Sequence, residues 1–268
     1  MKKRYKILIG ILVFVFICFL GTLYLRKETP RTPNTDSIPV LGYHHLASDE
    51  HKKENYRFDP WTTSISTFEK HMKYLHDHGY KTISLDDFYA WYKGEKEYDN
   101  KTVVLTFDDG YYSTLKIAQP ILKKYGYQAS VFMIGHNISN KEKPYSPPSK
   151  QSIPAYLIND NDTLKFYSHF YNIHRKINNE YAINVYSKQE LEKDIQKAAD
   201  TSNTKYMAYP YGKYNDKVQE ALKNQKVSLA FSYANYRNAK RSDAPYEIPR
   251  YMVDAYTPMF LFEWFLNR

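Results

Sequence analysis

The chain has 268 residues, 25% of them charged and 43% hydrophobic, with a single cysteine. That length holds one large domain or two small ones with a sizeable core, and the composition excludes a disordered, collagen-like or disulfide-stapled chain. The formal charge is +9, yet residues 1–37 carry +5 of it (Lys2, Lys3, Arg4, Lys6, Arg26, Lys27 and Arg31 against Glu28 and Asp36). The +4 left for the other 231 residues is too small to argue for a nucleic-acid partner.

Residues 1–6 read as a basic cytoplasmic tail. The nineteen uncharged residues Ile7–Leu25 read as a transmembrane signal-anchor, because a helix rising about 1.5 Å per residue just spans a hydrocarbon core of about 30 Å. Basic residues on its N-terminal side favour a single-pass protein of the cell membrane with the rest of the chain extracellular. Cleavage as a signal peptide, with secretion, is the competing reading, although no small-x-small site follows the apolar run. Cys18 follows Ile17 and reads as an ordinary membrane residue, which leaves the exported part without disulfides. Residues 26–37, with Pro30 and Pro33, read as an extended spacer, and 38–268 as one folded domain.

Within that domain, short β-branched and apolar runs alternate with amphipathic stretches. The predicted strands are 38–43, 81–83, 103–107, 129–134, 207–209, 229–232 and 247–253. Predicted helices follow a Ser66-x-x-Glu69 capping box up to Gly79, lie between Ser84 and Gly94, and run from Leu115 to Gly126 with a bend at Pro120. Others follow a Ser187-x-x-Glu190 box and cover 216–224 and 258–267. Residues 137–163, polar and with four prolines, read as a long surface insertion of the kind that is often functional. Strand-helix alternation of this length predicts a parallel α/β barrel or a doubly wound sheet, and both bind ligands at the C-terminal ends of the strands.

Four clusters sit at such strand ends. The run 103–107 feeds directly into Asp108-Asp109-Gly110. Two adjacent carboxylates there need compensation by a cation, unless Asp109 simply caps the next helix. His169 and His174 are five apart, about 140° apart on a helix, so they are not an i, i+4 pair; folded in a loop, they and Asp109 supply two nitrogens and one oxygen of an open metal site. Tyr209-Pro210-Tyr211-Gly212 is either a plain turn or one that aims the Tyr211 N–H at a developing oxyanion. Of His44 and His45, alternation turns one toward the same strand-end cleft.

Thr106-Phe107-Asp108-Asp109-Gly110, His169-x4-His174 and Tyr209-Pro210-Tyr211-Gly212, in this order, resemble the polysaccharide deacetylases of carbohydrate esterase family 4, the NodB-homology fold. The resemblance covers most of residues 38–254. The chain looks most like the poly-N-acetylglucosamine deacetylases of biofilm formation, on Tyr43-His44, the spaced histidines, the Ala208–Gly212 run and Pro249-Arg250. It implies a distorted (β/α) barrel with a divalent metal, usually zinc with cobalt or nickel as alternatives, on Asp109, His169 and His174. Asp108 becomes the general base, and Pro210 and Tyr211 the substrate and oxyanion contacts. The family's catalytic acid lies in a C-terminal Leu-x-x-His motif, whereas no histidine follows His174 and Leu41-Gly42-Tyr43-His44 fits the pattern at the other end. A circularly permuted barrel with His44 as the acid accounts for both facts.

Two departures stand out. Phe170 replaces a common Ser or Thr, and Ala208 an Arg that holds the base; Arg250 is expected to supply that cation instead. The implied substrate is an extracellular poly-N-acetylglucosamine. Peptidoglycan or chitin-type oligomers remain open, as does a non-catalytic glycan-binding module.

Overall fold

The computed structural model describes residues 30–267 and, of the N-terminal segment, Val13 alone. The predicted tail 1–6 and transmembrane segment 7–25 therefore lie, but for Val13, outside the described residues. Among the described residues no helix is long and apolar enough to cross a membrane. The stretch 30–37 lies against the domain: Thr35 donates its N–H to the Tyr98 carbonyl at 2.7 Å and accepts the Trp91 indole N–H at 3.1 Å.

Seven strand positions form a nearly closed, all-parallel barrel. β1 (Val40–Tyr43) pairs with β2 (Thr102–Phe107), β2 with β3 (Ala129–Met133), and β3 with β4 (Leu164–Ser168). β4 continues to β5 (Asn203–Ala208) and β5 to β6 (Leu229–Ser232). The predicted strand 247–253 is split: β7 (Ile248–Pro249) pairs with β6 and β8 (Tyr251–Met252) pairs with β1, with Arg250 between them. One extended segment thus bridges the last strand to the first. The barrel is irregular at β2, whose start pairs with a two-residue strand, Lys81–Thr82, and whose end pairs with β3.

β1, β2, β3 and β6 are buried along their whole length, as expected when parallel strands are covered on both faces. Alternate residues divide between two cores. Val40, Val104, Phe132, Tyr167 and Phe231 meet Phe88 and Trp91 from the helix Leu85–Tyr92, while Leu41, Leu105, Val131 and Phe166 join Phe68 and Met72 under the outer helices. By the same alternation Thr106 and Asp108 share the side of β2 that carries Val104.

Two local expectations are corrected. The first predicted helix, Ile65–Asp77, is capped by Ser64, whose hydroxyl accepts the Thr67 N–H, and Ser66 and Glu69 form no capping box; an unpredicted helix, Asp49–Asn55, precedes it. Ser66 hydrogen-bonds Asp49, and Glu69 pairs with Lys124. The segment carrying His169 is preceded by a barrel strand, Leu164–Ser168, that was not predicted. The helix after the Asp-Asp-Gly turn begins as a π-helix, Thr114–Ala118, before Gln119–Tyr125, and ends at Gly126 in the left-handed region. The capping box at Ser187 and Glu190 is present on both sides.

Candidate active site

The strand ends converge on one cleft of 430 Å³ that His44, Trp61, Asp108, Asp109, His169 and His174 line, with Tyr211 and Tyr233 among its other walls. Three of the loops that enter it hold a non-glycine residue in the left-handed region: Asp109 (φ 68), Phe170 (φ 62) and Tyr211 (φ 58). Each costs about 1 kcal/mol and persists only where its surroundings enforce it. Here they do. Gly110 follows Asp109 at φ 67, a Cβ there would lie 2.5 Å from Met133 Sδ, and its carbonyl accepts the Ile153 N–H from the insertion at 2.9 Å. Phe170 is fully buried, and the next two N–H groups donate to the Asp194 carboxylate at 2.8 Å each, which fixes the loop between the histidines.

Asp109, His169 and His174 present ligand atoms that all lie within 4.8 Å of one another. Asp109 Oδ1 is 3.6 Å from His169 Nε2 and 3.3 Å from His174 Nε2, and it is buried without a hydrogen-bond partner. A buried carboxylate oxygen left unpaired between two imidazole nitrogens is costly unless a cation occupies the gap. His169 donates Nδ1–H to the Ala208 carbonyl at 2.7 Å, so its Nε2 carries a free lone pair toward Asp109. Burial pushes this imidazole down to about 4, which keeps it a neutral ligand. The residues present fit a divalent cation with three protein ligands and open positions.

Asp108 is held from the opposite side. Arg250, fully buried, donates Nη1–H to Oδ1 at 2.7 Å and Nη2–H to Oδ2 at 2.8 Å, and it also bonds Thr106 Oγ1 at 3.0 Å. Burial alone would raise this carboxyl; the Arg250 charge beside it, with the imidazoles, more than offsets that and holds it well below the usual carboxylate range. Ala208 puts no cation at the end of β5, and Arg250 stands where the carboxylate needs one.

His44 turns into the cleft, its Nε2 3.9 Å from Asp108 Oδ2 and its ring 4.7 Å from that of Trp61. Burial lowers its pKa, partly countered by the Asp108 and Asp109 charges. His45 points away and bonds Thr62 Oγ1 at 3.1 Å. The Tyr211 ring leans on His174 at 4.4 Å and on Tyr181 at 4.7 Å, and Pro210 is buried beneath the turn. The structure therefore brings Asp108, Asp109, His44, His169, His174 and Tyr211 to one cleft, with Arg250 buried behind Asp108 and Pro210 buried in the turn that carries Tyr211.

Sequence reasoning assigned no role to Tyr111, which lines the cleft with Asp109, and missed Tyr233, whose hydroxyl donates to Asp108 Oδ2 at 3.0 Å. Among 28 tyrosines no local pattern separates these two. Trp61, on the cleft wall, was missed too.

The sequence profile described as polysaccharide deacetylase matches residues 95–230, just over half of the chain. The chain belongs to the polysaccharide deacetylase family. This deacetylase is 29% identical over 281 residues to the poly-beta-1,6-N-acetyl-D-glucosamine N-deacetylase of Staphylococcus aureus (strain N315), covering 94% of this chain and 92% of that protein. It is 29% identical over 198 residues to YxkH of Bacillus subtilis (strain 168), 71% of this chain, and spans only 62% of YxkH. Its barrel matches a de-N-acetylase from Aggregatibacter actinomycetemcomitans with a TM-score of 0.72 at 24% identity, over 86% of this chain and 100% of that one. IcaB from Ammonifex degensii gives 0.70 at 20% identity, over 87% and 98%. At these identities the two structures establish the fold. His44 and Arg250 lie outside the profile match, whereas the other predicted site residues lie inside it.

Proposed function

We propose that this deacetylase removes N-acetyl groups from an extracellular poly-N-acetylglucosamine, releasing acetate and leaving free amino groups on the glycan. The observation that carries the chemistry is the unpaired Asp109 Oδ1 facing two imidazole nitrogens beside an ionised, arginine-clamped Asp108. The substrate class is supported by the match to the Staphylococcus aureus N-deacetylase along 92% of its length.

Asp109, His169 and His174 would hold the cation; two imidazoles and a carboxylate suit Zn²⁺, with Co²⁺ and Ni²⁺ as alternatives. When bound, such an ion polarises an amide carbonyl and acidifies water. Asp108 takes the proton of the attacking water, and the Arg250 clamp fixes the direction from which it does so. The Tyr211 backbone N–H, on its strained turn, faces the oxyanion, and Pro210 stiffens that turn. His44 passes a proton to the leaving amine. His44 directly follows the first strand and Arg250 sits on the segment that pairs with that strand (Tyr251 with Leu41), which supports the reading of a circularly permuted barrel. Residues 7–25 anchor the chain in the cell membrane with 38–268 outside, where the polymer is; the basic N-terminal flank supports this orientation. Fractionation and N-terminal sequencing of the mature protein test it, and a mature N-terminus beyond residue 25 would replace the anchor with secretion.

The deciding experiment is acetate release by the full-length chain from poly-β-1,6-N-acetylglucosamine, chitooligosaccharides and peptidoglycan, with and without chelator. Chelator-sensitive release, fastest on the first polymer, is expected. Faster release from either of the others reassigns the substrate, and no release from any polymer with Zn²⁺, Co²⁺ or Ni²⁺ overturns the proposal.

A further inference from the structure

Tyr233 is set into this site in a way that a wall residue is not. It follows β6, and its hydroxyl donates to Asp108 Oδ2 at 3.0 Å, the oxygen that already accepts Arg250 Nη2–H at 2.8 Å. Its ring lies 4.2 Å from the Arg250 guanidinium carbon and 6.2 Å from the His44 ring, to which it is inclined at only 28°. The slot it occupies exists because two barrel-rim residues lack side chains. A Cβ on Gly42 would lie 2.0 Å from the Tyr233 hydroxyl oxygen, and one on Gly212 would lie 2.9 Å from Tyr233 Cβ.

A carboxylate oxygen offers two in-plane lone-pair directions. On Oδ2 one is taken by Arg250 and the other by Tyr233, and His44 Nε2 waits at 3.9 Å from the same oxygen, beyond hydrogen-bond distance. We infer that Tyr233 is a positioning residue that occupies the place on Asp108 which His44 would otherwise take, keeping the imidazole free for the substrate and the carboxylate free of a histidine ion pair. Gly42 is then required by the reaction as well as by the strand, because any side chain there expels the hydroxyl. This inference rests on the hydrolytic reading of the site.

The test is the crystal structure and the kinetics of the zinc-loaded Tyr233→Phe chain. The His44 Nε2 to Asp108 Oδ2 gap is expected to close to about 2.8 Å. kcat for acetate release is expected to fall about 100-fold, as for a displaced catalytic group. KM and zinc affinity are expected to hold, whereas disturbed support of the metal ligands would weaken zinc about 10–100-fold. Gly42→Ala is expected to give the same closure and loss, with no further loss in the double variant. A gap that stays at 3.9 Å, an undiminished kcat, a loss that tracks zinc affinity, or losses that multiply in the double variant would each overturn the inference. The gap is measured without substrate, so a wild-type chain that releases no acetate counts against the proposed function and leaves the structural result to decide this one.

Discussion

Replacing Arg250 with Gln removes the only side chain among the described residues that donates to both Asp108 oxygens, and the structure sets the size of the effect. Arg250 is fully buried, gives two charge-assisted bonds to Asp108 and one to Thr106, and stacks on Tyr233. Deleting one partner of such a pair leaves a buried, uncompensated charge and costs about 3–5 kcal/mol. For a protein of this size each kcal/mol is worth about 2–4 °C, so Tm is expected to fall by about 6–20 °C. A second effect follows from the same geometry. With the guanidinium gone, the largest charge opposing burial at Asp108 is lost and its pKa rises, so the acid limb of the pH–rate profile moves to higher pH and neutral-pH turnover falls. Asp109, His169 and His174 make no bond to Arg250, so zinc affinity is expected to survive. Calorimetry of the chelated protein, zinc titration and acetate release against pH measure the three quantities. A Tm within about 3 °C of wild type, on the same scale, with an unshifted profile would refute the argument that this cation holds the base.

Asp108→Asn is expected to keep zinc and lose turnover by about 10²–10⁴-fold, the usual contribution of a general base; retained acetate release would overturn the assignment. Zinc at about 100 times its Kd is expected to stabilise the chelated protein by about 2.7 kcal/mol, and His174→Ala to abolish most of that shift in calorimetry. His71, buried against Phe262 at 4.1 Å with Tyr43 on Nδ1, is pushed by burial to about 3. Its folded value lies below the unfolded 6.5, so the stability it confers is complete above pH 6.5 and drains away as pH falls toward 3. At pH 5 the loss is about 2 kcal/mol. His71→Leu should flatten that part of the stability-against-pH curve by about one proton; an unchanged slope would count against it.

How much of this was legible in sequence depends on how local each signal is. The proposed metal ligands and base sit in short runs directly after apolar stretches, and strand ends are where such folds gather chemistry, so Asp108, Asp109, His169 and His174 stood out. β4 did not, because Leu164–Ser168 runs straight into a His- and Tyr-rich loop with no turn residue between them to mark the boundary. Ser66 and Glu69 had capping-box spacing, yet Ser64, two residues earlier, takes the cap, and Ser66 and Glu69 find tertiary partners in Asp49 and Lys124. Tyr233 and Asp108 are 125 positions apart, and nothing within either segment announces the pair. Arg250, 142 positions from Asp108, was reachable because a carboxylate at a buried strand end demands a cation and the family resemblance, with Ala208 where an Arg is usual and Pro249-Arg250 late in the chain, pointed to it.

The split strand at the seam has a consequence for how the site is assembled. The three proposed metal ligands lie between residues 109 and 174, within a run of neighbouring strands that can form from nearby sequence. His44 and Arg250 come from opposite ends of the chain and meet only when Tyr251 pairs with Leu41. Loop-closure entropy delays contacts of such long sequence separation. A chain still folding would therefore be able to capture zinc before it can turn over substrate, and the metal would be waiting when the last strand docks and brings the guanidinium to Asp108.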